Sequence, residues 1–237
     1  MVTPLEHAGH FSEAIIQLPH CYQANNLQEY ALAPPPARAE LGLPEDAFVF
    51  CCFCANNKFT PKRFAAWVRI LRGCPHAVLW LWAPEEIVRA NLRREAEQLG
   101  LGHERLIFAD RLPRAEHLRR MQLADLFLDT APYGAHTTAS DALWAGVPVL
   151  TVLGETFASR VTASIVHAAG LDDLILPDEA AYERQAVAYA HNPRVMETMK
   201  QHLRAHKASM PLFDMASRVR ELETAYESVL KARKFAI

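Results

Sequence analysis

The sequence is poor in glycine, with 9 residues in 237, where average usage would give roughly 17. Any phosphate site in this chain must therefore be built from few glycines. It contains no G-x-G-x-x-G and no Walker A lysine, nor H-E-x-x-H or G-x-S-x-G. The common dinucleotide, P-loop, zinc-protease and serine-hydrolase signatures are thereby excluded. No Asp-x-Asp occurs either, so a carboxylate-held divalent cation on a diphosphate is not supported. Uncharged apolar runs such as His76 to Pro84 fall far short of the ~20 residues a bilayer span needs. Residues 1–11 lack both a basic n-region and an apolar h-region. Blocks of like charge are missing too: 25 Lys+Arg stand against 27 Asp+Glu, for a net charge of -2. That balance gives no hint of a nucleic-acid partner or a membrane surface.

The five cysteines, Cys21, Cys51, Cys52, Cys54 and Cys74, are odd in number. Cys51 and Cys54 are formally C-x-x-C, but they lie in the apolar run Phe48 to Cys54 and no second pair completes a zinc site. They read as small core residues of a protein in a reducing, cytoplasmic compartment, with no metal.

What is present is a globular composition, 51% hydrophobic and 22% charged. The length suggests one large domain, or one domain with appendages. Residues 1–46 are irregular, broken by Pro34-Pro35-Pro36, with a short helical piece over Ala37 to Gly42. From Ala47 the pattern is regular. Strand-like runs occur at Phe48–Phe53, Ala77–Trp82, Arg105–Phe108, Asp125–Leu128, Val147–Val152 and Leu174–Leu176. Helical stretches start near Pro61, Pro84, Pro113, Thr138, Ala158 and Asp178. The strand runs are continuously apolar, as strands covered on both faces require. Strands alternating with helices predict a doubly wound parallel α/β sheet with right-handed crossovers. The three prolines are placed in first helical turns, and Gly146 closes a helix. Only helical pattern follows from Tyr182 to Lys234. The tryptophans Trp67, Trp80, Trp82 and Trp144 fall on apolar positions and read as core. His202 and His206 read as a polar helix face.

Ligands bind such sheets outside the carboxyl ends of the strands, and three loops there are chemically loaded. After the first strand, Lys58 stands alone between strand and helix, either as an anion partner or as a solvated lysine. After the third, Arg114, His117 and Arg120 recur every three residues along one helical stripe. That stripe is either a phosphate-and-base contact or an exposed amphipathic face. After the fourth, Asp129 to Asp141 opens a helix. Thr138 and Asp141 have capping-box spacing, and the first-turn N–H groups and hydroxyls of Thr137 and Thr138 form an anion cradle needing only Gly134. Asp141 is then placed to accept from ribose hydroxyls; the alternative is an ordinary capped helix.

Several words of the sequence, in order, resemble the catalytic C-terminal half of the O-linked N-acetylglucosamine transferases, glycosyltransferase family 41, in its bacterial form. They are Phe11-Ser12-Glu13, Leu18-Pro19-His20-Cys21-Tyr22-Gln23, Val78-Leu79-Trp80-Leu81 and Glu116-His117-Leu118-Arg119-Arg120. Then follow Gln122 to Thr130, Gly134-Ala135-His136-Thr137-Thr138, Asp141 to Gly146, and Gly154-Glu155-Thr156-Phe157-Ala158-Ser159-Arg160-Val161. The resemblance implies the Rossmann-like, UDP-binding C-terminal lobe of a GT-B glycosyltransferase. Residues 1–46 would then be linker and tail of an N-terminal lobe, and 47–237 the nucleotide-sugar domain with C-terminal helices. It implies metal-independent, inverting transfer from UDP-N-acetylglucosamine, or another UDP-sugar, to Ser or Thr of proteins, with no cofactor. The acceptor would be recruited by that N-terminal lobe or by helical repeats, so that the lobe alone transfers poorly. By position, Lys58 falls on the lysine at the diphosphate, Arg114 on a lysine at the uridine, His117 on the uracil-stacking histidine and Arg120 on an arginine beside the base. His136, Thr137 and Thr138 fall on the His-Thr-Thr at the phosphates, and Asp141 on the ribose-binding aspartate. The chain departs from the pattern at Ala55, in place of a glutamine, and at Arg114. A non-catalytic nucleotide-sugar module and a UDP-glucose-dependent protein N-glycosyltransferase are the alternative expectations.

Overall fold

Phe-Val-Phe-Cys-Cys and Ala-Val-Leu-Trp-Leu-Trp are uninterrupted apolar runs, and folding buries them almost completely. They form β1 (Phe48–Cys52) and β2 (Ala77–Trp82). With β3 (Leu106–Ala109), β4 (Leu126–Leu128), β5 (Val149–Val152) and β6 (Ile175–Leu176) they make one parallel sheet in the order β3-β2-β1-β4-β5-β6. The computed structural model describes residues 1–26 and 31–234. β1 pairs with β2 from Phe48↔Ala77 to Cys52↔Leu81, and with β4 at Phe50↔Leu126 and Cys51↔Phe127. The strand order reverses between β1 and β4. In a doubly wound sheet that reversal opens a crevice beyond the carboxyl ends of those two strands.

The connecting helices are α1 (Pro61–Gly73), α2 (Glu86–Gln98), α3 (Arg114–Met121), α4 (Thr137–Trp144) and α5 (Phe157–Ala168). After β6 come α6 (Glu179–Ala190), α7 (Pro193–His206) and α8 (Met215–Lys234). Their ends are chemically specified. Thr60 accepts from the Arg63 N–H ahead of Pro61, Thr156 and Ser159 cap α5 reciprocally, and Asp178 accepts from Ala181 N–H. Gly146, at φ 82°, ends α4 while Val147 N–H reaches Ala142 C=O and Gly146 N–H reaches Leu143 C=O, the double bond of a Schellman turn. Of the three prolines expected in first turns, only Pro61 is there. Pro113 is the residue before α3, and Pro84 lies one residue further out than the N-cap Glu85 of α2. Strands begin one to two residues later than the apolar pattern suggests, at Leu106, Leu126, Val149 and Ile175; the residue ahead of Val149 is Pro148, which has no N–H to pair.

All five cysteines are buried and unpaired. Trp67 and Trp80 are fully buried, and Trp144 nearly so. Trp82 is only half-buried, because it ends β2 at the mouth of the sheet.

The base of the sheet is held by a carboxylate. One Asp125 oxygen accepts from Val49 N–H (2.9 Å) and the Arg38 guanidinium (3.2 Å), and the other from Lys200 Nζ (3.0 Å). Lys200 also donates to Ala124 C=O at 2.7 Å and is buried. One side chain thus joins β1, the short helical turn Arg38–Leu41 and α7. Removing one partner of such a pair leaves an uncompensated charge. Asp125→Ala is expected to cost about 3–5 kcal/mol in chemical denaturation, and Lys200→Met distinctly less, since Asp125 keeps its Arg38 partner and methionine fills the volume.

Candidate functional site

Two loops meet at the β1/β4 reversal, residues 53–60 after β1 and 129–136 after β4. They are joined backbone to backbone by an antiparallel bridge at Phe59↔Pro132. Lys58 Nζ adds a bond to Gly134 C=O at 3.3 Å and lies 4.5 Å over the centre of the Tyr133 ring. Asn56 Nδ2 donates to Trp82 C=O at 2.9 Å, so the first loop is also anchored to β2. The cation placed between strand and helix by the sequence therefore lies across the switch point, against the opposite loop.

That opposite loop is fixed from beneath. Asp129, at the end of β4, is buried and accepts from Ala135 N–H (2.8 Å) and the Thr151 hydroxyl (2.6 Å). Burial pushes its carboxyl above the ordinary aspartate range, and these donors pull the other way. Thr162 donates to Ala135 C=O at 2.8 Å, Thr130 to Tyr133 C=O at 2.7 Å, and the buried Tyr182 hydroxyl to Asp129 C=O at 3.2 Å. Gly134 is held in this weave: a Cβ there would lie 2.4 Å from Thr162 Oγ1 and 3.3 Å from Ala158 C=O. The scarce glycine is spent where the backbone has no room for a methyl group.

The loop delivers His136 as the N-cap of α4, followed by Thr137 and Thr138 in its first turn. Among the described residues the Thr137 and Thr138 N–H groups take no acceptor, and they open outward with the positive end of the helix. The capping-box pairing of Thr138 with Asp141 does not form. Thr138 is already the second helical residue, and Asp141 turns to Arg114 instead, 2.7 Å away. The His136 ring stacks on Tyr133 with centroids 5.2 Å apart at 15°, and its Nδ1 lies 3.4 Å from the Tyr22 hydroxyl. Burial, with Lys58 nearby, lowers its pKa, so the ring is neutral near pH 7.

Beside this cradle lies a cleft of about 490 Å³ lined by Phe53, Ala55, Trp82, Arg111, Leu112, Arg114, His117 and Arg120. Arg114, His117 and Arg120 do share one stripe, but in three different environments. Arg120 is buried, lies over the rings of Phe53 and Trp80, and donates to His117 Nδ1 through Nε (3.2 Å) and Nη2 (3.0 Å). Two donors at Nδ1 require an unprotonated nitrogen there, leaving the proton on Nε2. His117 meets Phe53 edge to face at 5.1 Å. Burial first, then Arg120 and Arg114, lower its pKa to about 4. Arg114 is half-exposed and pairs with the better-buried Asp141, linking cleft to cradle. Burial raises the Asp141 pKa, partly offset by Arg114.

Every site residue expected from the sequence thus lies at this one end of the sheet. The sequence reading missed Trp82, Tyr133 and Tyr22. Trp82 has the apolar signature of core. Tyr133 is exposed in a loop with no periodicity, and Tyr22 arrives from 114 residues away. The segment that carries Tyr22 packs against the domain: the ring meets Phe157 edge to face at 5.4 Å, and Arg218 donates to Tyr22 C=O at 2.6 Å. Among the described residues no group of three or more His, Cys, Asp or Glu could hold a metal ion, and no helix is long and apolar enough to cross a membrane.

A six-stranded doubly wound sheet with a cradle and cleft at its switch point has the Rossmann-like fold of the GT-B glycosyltransferases. Residues 26–222 match the model of glycosyl transferase family 41, and the chain belongs to that family. It is 38% identical over 231 residues to the probable UDP-N-acetylglucosamine--peptide N-acetylglucosaminyltransferase SEC of Arabidopsis thaliana, covering 95% of this chain and 24% of that protein. To the UDP-N-acetylglucosamine--peptide N-acetylglucosaminyltransferase of Caenorhabditis elegans it is 33% identical over 187 residues, 79% of this chain and 16% of the relative. The chain therefore spans a quarter or less of the length of these relatives. Among solved structures, a mutant of the O-GlcNAc transferase of Thermobaculum terrenum superposes with a TM-score of 0.83 at 30% identity, covering 95% of this chain and 42% of that one. Anabaena HepE, solved with UDP and glucose, shares the fold with a TM-score of 0.62 at 16% identity, over 88% of this chain and 56% of that one.

Two outcomes follow from this geometry. The His117 ring should titrate by NMR with a midpoint near 4. An unfolded histidine takes its proton near pH 6.5, so between about 6.5 and 4 the unfolded chain binds more protons than the native one. Stability should therefore fall as pH drops through that window, and His117→Gln should flatten the fall. Gly134→Ala should destabilise by about 1–3 kcal/mol, with part of the loss recovered when Thr162→Ala removes the blocking hydroxyl.

Proposed function

We propose that this chain is the donor-binding lobe of a protein glycosyltransferase that uses UDP-N-acetylglucosamine and transfers the sugar, with inversion and without a metal, to Ser or Thr hydroxyls. The observation that carries the reading is the meeting of Lys58 with the loop bearing His136, Thr137 and Thr138 at the switch point, one helix away from the cleft of His117 and Arg120. Family membership and the names of the relatives point to the same chemistry.

In this reading the uracil lies in the cleft against the neutral His117 ring, whose orientation Arg120 fixes. Asp141 and Arg114 face the ribose side. The diphosphate sits at the amino end of α4, between the threonine N–H and hydroxyl groups and the Lys58 ammonium. The acceptor hydroxyl attacks the anomeric carbon from the side opposite the departing diphosphate and gives up its proton to solvent, while the diphosphate oxygen takes up negative charge as its bond to the anomeric carbon breaks. Donors already aimed at that oxygen stabilise the charge without reorganising. Lys58 and the first turn of α4 supply them. Phe53 and Trp82 exclude water from the base. The protein acceptor enters from the side opposite this lobe, contributed by the remainder of a longer protein.

Calorimetric titration with UDP, UDP-N-acetylglucosamine and UDP-glucose tests the donor assignment. Wild type should bind UDP, and His117→Ala should weaken it by roughly tenfold, the scale of one lost base stack. Equal affinity in the variant would remove the base assignment. In a transfer-competent form of the protein, Lys58→Ala should lower the chemical rate by about 10²-fold or more; an unchanged turnover would sink its catalytic role.

A further inference from the structure

Tyr133 has no part in the reading above, yet it sits against two of the groups that reading uses. Lys58 Nζ lies 4.5 Å over its ring centre, and His136 stacks on it at 5.2 Å and 15°. The ring itself is 45% exposed, so the core does not require it. Its backbone, by contrast, is held on both sides. Thr130 donates to Tyr133 C=O, Pro132 forms the bridge to Phe59, and the neighbouring Gly134 is locked against Thr162. A rigid backbone thus presents an aromatic face to a flexible four-carbon cation. Among the described residues one hydrogen bond otherwise fixes that ammonium, the 3.3 Å contact to Gly134 C=O.

We propose that Tyr133 is a positioning residue for Lys58: its π-face, braced by the stacked His136 ring, holds the ammonium over the amino end of α4. Lysine is a compact charge on a mobile stem, and its freedom must be lost on binding an anion. An aromatic face attracts the cation electrostatically without neutralising it. A carboxylate in the same place would also hold the lysine, but it would cancel the charge the diphosphate needs. The tyrosine restrains Lys58 and leaves its charge available. The inference rests on the proposed diphosphate site.

The test is a double-mutant cycle read by UDP affinity on the whole chain. Tyr133→Leu should weaken UDP binding by about fivefold, in the range a partly exposed cation–π contact supports. Tyr133→Phe, which keeps the face, should stay within about twofold of wild type. In a Lys58→Met background Tyr133→Leu should have no further effect, since there is no cation left to hold. Melting temperatures of all four variants should match their parents within a few degrees, given the exposure of the ring. Unchanged UDP affinity in Tyr133→Leu, or an equal loss with and without Lys58, overturns the positioning role while leaving the diphosphate site standing. Failure of wild type to bind UDP overturns both. Loss in Tyr133→Phe equal to that in Tyr133→Leu would assign the effect to the hydroxyl and also overturn it.

Discussion

Asp129 is the group on which the site depends. It is a carboxylate buried at the end of a central strand, where an isolated charge would be costly. The cost is offset by donors from three parts of the chain: the loop itself through Ala135 N–H, β5 through Thr151, and, one bond further on, α5 through Thr162 and Ala135 C=O. Each donor would be left unpaired if the loop moved, so a single loop conformation is enforced. The consequence reaches the surface one residue later. His136, Thr137 and Thr138 are placed by a backbone that cannot drift, and Lys58 is bonded to the same loop at Gly134.

The sheet order explains why these loops meet at all. The strand order reverses between β1 and β4, and a doubly wound sheet has a crevice beyond the carboxyl ends of the two strands at such a reversal. A lysine following β1 and a helix amino end following β4 are brought together by topology alone. The bridge at Phe59↔Pro132 then removes the remaining freedom between the loops.

Much of this was legible in the sequence because it is local. Continuous apolar runs marked the strands, Pro61 marked the start of α1 and Gly146 the end of α4. Thr137 and Thr138 after a strand marked the first turn of a helix. The failures share one physical character. Thr138 and Asp141 have the spacing of a capping box, but the helix starts one residue earlier and the carboxylate finds a guanidinium 27 positions away. Trp82 carries a core signature yet ends its strand at the rim of the cleft. Tyr133 and Tyr22 act through rings and hydroxyls that meet partners only after the chain has folded. Periodicity reports which face of an element is buried; it does not report what an exposed loop ring touches.

The family resemblance raised Lys58, Arg114, His117 and Asp141 above readings that their local pattern left open, and the structure adds why those groups suit one another. Lys58, Arg114 and Arg120 each have a partner within this end of the sheet. Lys58 rests on an aromatic face and a carbonyl, Arg114 on a carboxylate, and Arg120 on an imidazole and two rings. The two histidines carry lowered pKa values, so they remain neutral beside these cations rather than adding to their repulsion. The Arg114–Asp141 pair is neutral overall, while Arg111 and Arg120 keep positive charge at the cleft beside the neutral His117, so the positive face runs from Lys58 and the helix end across to the cleft.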